Sequence, residues 1–132
     1  MRRVQNTAAR VVTQRKKYDH ITHEMHNLHW LPMIHRVVFK ILVLIYKALH
    51  AQAPSYLSDL LEIQQHRYLG LRSASKLNLV VKRTKCVSFG DRAFSVYGPK
   101  QWNKLPDQIK QADTLSDFRQ KLKAHLFSIA YF

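Results

Sequence analysis

Cysteine occurs once, at Cys86, in a chain of 132 residues. That excludes an intrachain disulfide and a cysteine-built zinc site. Three glycines leave no room for a phosphate-cradling loop of the GxxxxGK or GxGxxG kind, and no GxSxG elbow is present. Acidic residues are also scarce. The eight are Asp19, Glu24, Asp59, Glu62, Asp91, Asp107, Asp113 and Asp117, and no two are adjacent. Glycosidase or two-metal chemistry needs carboxylates brought together, so only a tertiary meeting could supply it. Asp91 and Asp117 stand where helices are expected to start, and capping explains them better than catalysis. Long apolar runs are missing too. The most apolar stretch, Val37 to Leu49, contains Lys40 and Lys47 and is shorter than the roughly 20 residues a membrane span requires. No apolar segment of the signal-peptide type follows the basic start. The first 18 residues lack acids and are rich in Arg, which suits a mitochondrial presequence, but they contain no serine.

What is abundant is positive charge. Lys and Arg number 22 against the eight acids, a formal net charge of +14. Such a surplus favours a polyanionic partner, nucleic acid before an anionic membrane. Apolar residues make up 46% of the chain, enough for a real core and too many for a disordered composition.

Periodicity divides the chain into helices. Residues 1–17 read as a basic helix, with Val4, Ala8, Val11 and Val12 on one arc and Arg3, Arg10 and Lys17 recurring on the other. The remaining core covers residues 20–132. A short helix is expected over His20 to His29 and ends at Trp30-Leu31-Pro32, because the residue before proline avoids the helical region. Met33 to Gln52 is apolar almost all round, apart from a narrow stripe of Arg36, Lys40 and Lys47, so it belongs at the centre of a small domain. Ser55 is placed to cap a short helix carrying Leu57, Leu60 and Leu61. Residues 64–75 read as a basic loop. Leu77 to Val81 and Cys86 to Phe89 have strand character and suggest one short β-hairpin over about 77–89, although Lys82-Arg83-Thr84-Lys85 lacks the Gly or Asn of a tight turn. A helix is expected from Gly90-Asp91 to Gly98-Pro99. Thr114-Leu115-Ser116-Asp117 resembles a capping box, opening a last helix with Leu115, Phe118, Leu122, Leu126 and Ile129 on one stripe. The expected fold class is mainly α, a single small helical domain with that one hairpin.

His20, His23, His26 and His29 recur at spacing three. Three residues turn a helix by 300°, so the rings spiral rather than converge on one ion, and a solvated or partly packed face is the plainer account. Cys86, in an apolar β-like run, reads as a small hydrophobe rather than a nucleophile. The basic residues form the constellation with chemical weight. Arg3, Arg10, Lys17, Arg36, Lys40 and Lys47 are the candidate phosphate contacts, and Lys76, Lys82, Arg83 and Lys85 surround the expected hairpin. Trp30 and Tyr46 could stack bases, but core packing is the simpler role for both. Phe94, Trp102, Phe118 and Leu122 are also assigned to the core.

An ordered series of short motifs adds a resemblance. Arg3-Val4-Gln5-Asn6-Thr7-Ala8-Ala9-Arg10 is followed by His29-Trp30-Leu31-Pro32, Phe39-Lys40-Ile41-Leu42 and Tyr46-Lys47-Ala48-Leu49. Pro54-Ser55-Tyr56-Leu57, Leu71-Arg72-Ser73 and Phe89-Gly90-Asp91-Arg92-Ala93-Phe94-Ser95 come next. Trp102-Asn103-Lys104-Leu105-Pro106 and Phe118-Arg119-Gln120-Lys121-Leu122-Lys123 complete the series. Nearly the whole chain thereby resembles the C-terminal region of the reverse transcriptase polyprotein of LINE-type, non-LTR retrotransposons of the jockey-like group. The pattern departs from that family at His23 and near Lys82, where proline is usual. The resemblance implies a post-thumb module of an RNA-directed DNA polymerase, with the endonuclease and the polymerase palm upstream. The palm's Asp-Asp pair does not occur in this sequence. The chain alone is therefore expected to be no enzyme, with no catalytic residue, metal, cofactor or small-molecule substrate, and to represent a truncated element. Its expected partners are RNA or DNA through backbone contacts and the polymerase body of a parent element, with no membrane. The resemblance places it inside the cell, in nucleus or cytoplasm. A structural interaction module that packs on the polymerase body without touching nucleic acid is the alternative, and a small ribosomal-type RNA-binding protein is a third reading that the motif order disfavours.

Overall fold

Glycine is so scarce that helices here must stop by other means, and their ends organise the chain. A computed structural model describes residues 2–64, 77–84 and 89–132. The chain is mainly helical. Its α-helices are α1 (Arg2–Val12), α2 (Thr22–Asn27), α3 (Met33–Leu49), α4 (Ser55–Ser58), α5 (Phe94–Asn103), α6 (Asp107–Lys110) and α7 (Leu115–Tyr131), with a 3₁₀ turn at Gly90–Arg92 before α5. Packing divides the chain into two compact units, one of Met1–Phe39 with Leu122–Phe132 and one of Lys40–Lys121.

In the first unit, α1 ends five residues earlier than its pattern suggests. Gln14 turns to φ 53° and the Arg15 amide donates to the Arg10 carbonyl. This is the Schellman closure, normally built on glycine. α2 closes in the same way, with His29 at φ 52° and the Trp30 amide donating to the Met25 carbonyl. The buried face of α1 is Gln5 and Ala9, whereas the expected apolar arc is exposed, Val4 by 72% and Val11 by 73%. The reason is polar: the Gln5 side-chain amide donates to the Leu31 carbonyl at 2.7 Å, which ties that face inward. Ala9, Ile21 and Met25 form the cluster at its centre, with Leu28, Trp30 and Tyr131 packed around it.

The second unit is built around aromatic rings. Tyr46 and Phe118 stack with centroids 4.4 Å apart, and Trp102 lies 5.9 Å from Phe118. All three are essentially inaccessible to water. Each polar atom in this group has a partner. The Tyr46 hydroxyl donates to the Ala112 carbonyl at 2.8 Å, and the Trp102 indole N–H donates to the Leu77 carbonyl at 2.7 Å. Gly98 permits close approach, since a Cβ there would sit 2.9 Å from Ile45 Cδ1. The helix expected from Gly90-Asp91 to Gly98-Pro99 starts later and runs on: the 3₁₀ turn Gly90–Arg92 precedes α5, which continues through Pro99 to Asn103. At the start of α7 the Asp117 amide donates to Thr114 Oγ1, so half of the expected capping box forms. The carboxylate of Asp117 turns instead to Lys121.

The expected hairpin over 77–89 is not what the structure builds. Among the described residues there is no strand, only an isolated antiparallel bridge between Leu79 and Ile63. Its bonds run from the Val80 amide to the Glu62 carbonyl and from the Gln64 amide to the Asn78 carbonyl. The outer edge of Leu79 is satisfied by a side chain: Asn103 Oδ1 accepts from the Leu79 amide at 2.9 Å, and Asn103 Nδ2 donates to the Leu79 carbonyl at 2.8 Å. One asparagine thus occupies the place a second strand would take. Of the expected second strand, residues 86–88 lie outside the described residues, as do Lys76, Lys85, Cys86 and most of the basic loop 64–75. Smaller differences concern exposure. Ile129 is exposed, Trp30 and Phe94 are half-buried, and Ser55 lies within α4 without a capping bond from its side chain.

Candidate nucleic-acid interface

α3 begins directly after Pro32, whose fixed φ suits a helix entrance. Its buried residues are Leu42, Val43, Ile45, Tyr46 and Ala48, of which Val43 borders the basic stripe. At 100° per residue Arg36, Lys40 and Lys47 fall within an arc of about 40°. The structure exposes Arg36 and Lys40 and leaves Lys47 half-buried. Among the described residues, no carboxylate pairs with any of the three. With about 1.5 Å rise per residue, Arg36 and Lys47 are about 16 Å apart along the helix. Successive phosphates on one duplex strand rise about 3.4 Å, so this face is long enough to follow several of them. Val37 and Leu44 lie together along one side of the stripe and are 45% and 40% exposed, which gives the face one exposed apolar edge.

The second expected stripe is not assembled. Arg3 is exposed on α1. Arg10 is half-buried and donates to the Asp19 carbonyl at 3.3 Å, with its Nε buried and unpaired. Lys17 lies beyond the Schellman turn, off the helix, over the ring of Tyr18. The seven-residue spacing of these residues needs a helix through residue 17, and the turn at Gln14 breaks it. Arg15 is committed to Glu24. Arg10 is thus held against the fold, while Arg2 and Arg3 have no acid partner among the described residues.

The histidine run has no metal geometry. No group of three or more His, Cys, Asp or Glu among the described residues could hold an ion. His26 packs instead against Phe127 and Tyr131, and the His29 ring stacks on Phe127 with centroids 5.6 Å apart. Tyr46 is wholly buried, so it offers no base-stacking surface, and burial pushes its hydroxyl pKa up, with Asp113 and Asp117 adding to the shift.

No protein-family model, curated protein or solved structure matches the chain. Sequence reasoning missed a second group of cations, Arg92, Lys100 and Lys104. The signal was present: Tyr97, Lys100, Gln101 and Lys104 recur at i, i+3, i+4 and i+7, the spacing of one helix face.

Proposed function

We propose that the chain is a non-catalytic, nucleic-acid-contacting module of a non-LTR retrotransposon reverse transcriptase, holding RNA or DNA by its backbone through the α3 face. The observation that carries this reading is the unpaired triad Arg36, Lys40 and Lys47 on one side of α3, in a chain of net charge +14. The ordered motifs support the retroelement assignment, and intracellular residence follows from it. The chemistry is simple. Ammonium and guanidinium groups displace condensed counterions from the phosphates, which favours binding without reading bases. Polymerisation belongs to the palm of a parent enzyme, since the sequence contains no Asp-Asp pair. No helix among the described residues is long and apolar enough to cross a membrane.

One observation favours the second reading, a module that docks on the polymerase body: Val37 and Leu44 beside the stripe, and Val4 and Val11 on α1, are exposed apolar groups. Fluorescence anisotropy with labelled single-stranded RNA, single-stranded DNA and duplex separates the two. The nucleic-acid reading expects binding to all three, with affinity falling linearly on a log–log plot against salt. Absence of binding at low salt would transfer the assignment to the docking module.

A further inference from the structure

A cleft of about 540 Å³ lies beside α5 in the second unit, and none of its lining residues belongs to α3. Its volume falls within the usual range for small-ligand sites, about 300–1,000 Å³. Tyr97, Lys100 and Gln101 line one wall from successive turns of α5, Lys104 follows at its C-terminal cap, and Arg92 enters from the 3₁₀ turn. The charges in the cleft sort themselves. Asp91 accepts from the Thr84 hydroxyl at 2.6 Å and from Lys100 Nζ at 3.3 Å. These two bonds hold its carboxyl below the usual range against the opposing effect of desolvation, so Asp91 stays anionic and offsets Lys100. Arg92 and Lys104 have no acid partner among the described residues. Two uncompensated positive charges therefore line one cavity. Asn103 is unavailable to a ligand, because both polar atoms of its amide bind Leu79. Gln101 keeps its amide, and Tyr97 is half-buried with a ring that a base can cover.

This charge count separates two kinds of phosphate. An internal phosphodiester carries one negative charge. A terminal phosphomonoester carries about 1.5 to 2 near neutral pH. We infer that the cleft takes the phosphorylated terminal nucleotide of a nucleic-acid strand, with Arg92 and Lys104 on the dianionic phosphate and Tyr97 under the base. The inference rests on the nucleic-acid reading and extends it from backbone contact to recognition of an end.

The test uses the full chain and one 12-nucleotide single strand prepared with a 5′-phosphate, with a 3′-phosphate, or with hydroxyls at both ends. Titration calorimetry compares their affinities, with adenosine monophosphate and inorganic phosphate as separate probes. One phosphorylated form should bind about tenfold more tightly than the hydroxyl form, the scale of one added charge-assisted contact. Which form does so identifies the end. Arg92→Gln with Lys104→Gln should abolish that preference and weaken the hydroxyl form less than the phosphorylated one. The variant Arg36→Gln/Lys40→Gln/Lys47→Gln should weaken all three strands while keeping the preference, which separates the cleft from the α3 face. Adenosine monophosphate should bind more tightly than inorganic phosphate, and Tyr97→Ala should remove the difference. Equal affinity for phosphorylated and hydroxyl strands would overturn the inference, as would a preference that survives the double substitution. If no strand binds at low salt, the nucleic-acid reading and the inference fail together, whereas strands that bind equally well with and without a terminal phosphate overturn the inference alone.

Discussion

Replacing Asn103 should expose how much of the second unit depends on a single amide. Its two hydrogen bonds satisfy both backbone groups of Leu79, a residue only 2% exposed. Asn103→Ala leaves one buried N–H and one buried C=O without a partner, at about 1–1.5 kcal/mol each. The expected loss is about 2–3 kcal/mol. For a chain of this size that lowers Tm by roughly 6–10 °C. Asn103→Asp is more informative. Its ionised carboxylate still accepts from the Leu79 amide but repels the Leu79 carbonyl, so at pH 7 the loss should be at least as large. Protonation supplies an O–H that can donate to that carbonyl. The folded state therefore favours the neutral acid and raises the carboxyl's pKa above its unfolded value, about 3.9. With the folded value raised, the recovered stability is fully present below pH 3.9 and is lost as pH rises through the folded pKa. Urea denaturation of parent and variant between pH 3.5 and 8 should show their difference shrinking towards acid. A pH-independent difference, or a loss under about 0.5 kcal/mol for Asn103→Ala, would mean that Leu79 finds another partner and that the asparagine does not replace a strand.

Three further outcomes follow from the packing. Trp102→Ala should cost about 3–5 kcal/mol, the usual range for truncating a fully buried large aromatic, and chemical denaturation measures it directly. Tyr46 keeps its proton more firmly in the fold, so its contribution is complete below about pH 10 and is lost as pH rises through the higher folded value. Tyr46→Phe should therefore flatten the alkaline fall in stability, while costing about 1 kcal/mol at pH 7 for the lost bond to the Ala112 carbonyl. Ala51 closes α3 at φ 53°, a conformation that costs a side-chain-bearing residue about 1–2 kcal/mol. Part of that is offset by glycine's greater unfolded-state freedom, so Ala51→Gly should stabilise the chain by about 0.5–1 kcal/mol in the same assay.

Where local chemistry and packing agree, the sequence is readable. Pro32 marks the entrance to α3, Thr114 marks that of α7, and the burial of Trp102, Tyr46 and Phe118 follows from size and periodicity. The failures have particular causes. Gln5 outcompetes Val4, Val11 and Val12 for the inside of α1 because its amide meets the Leu31 carbonyl, a partner 26 residues away that no helical wheel contains. The segment Leu77 to Val81 has strand propensity, but its partners are Glu62 and Gln64 on one side and the Asn103 amide on the other. Lys82-Arg83-Thr84-Lys85 offers no Gly or Asn to close a tight hairpin. For the candidate interface, the α3 stripe was visible because it is short and lies within one helix. The α1 stripe requires an unbroken helix from Arg3 to Lys17, and a glycine-free Schellman turn at Gln14 carries no composition signal.

The α3 face is the centre of the functional account, and the salt dependence of binding tests it most directly. Anisotropy titrations of one duplex and one single strand, from about 50 to 300 mM salt, compare the parent with Arg36→Gln/Lys40→Gln/Lys47→Gln. Three lost phosphate contacts should flatten the log–log slope by about 2.7 on duplex DNA and about 2.1 on single strands. Arg36→Gln and Lys40→Gln should change the unfolding free energy little, since exposed charges contribute little to stability, and any loss should come from the half-buried stem of Lys47. The matching variant of the first helix, Arg3→Gln/Arg10→Gln/Lys17→Gln, should change the slope less, because Arg10 is engaged with Asp19 and Lys17 lies off the helix. A parent-like slope in the α3 variant would contradict the account.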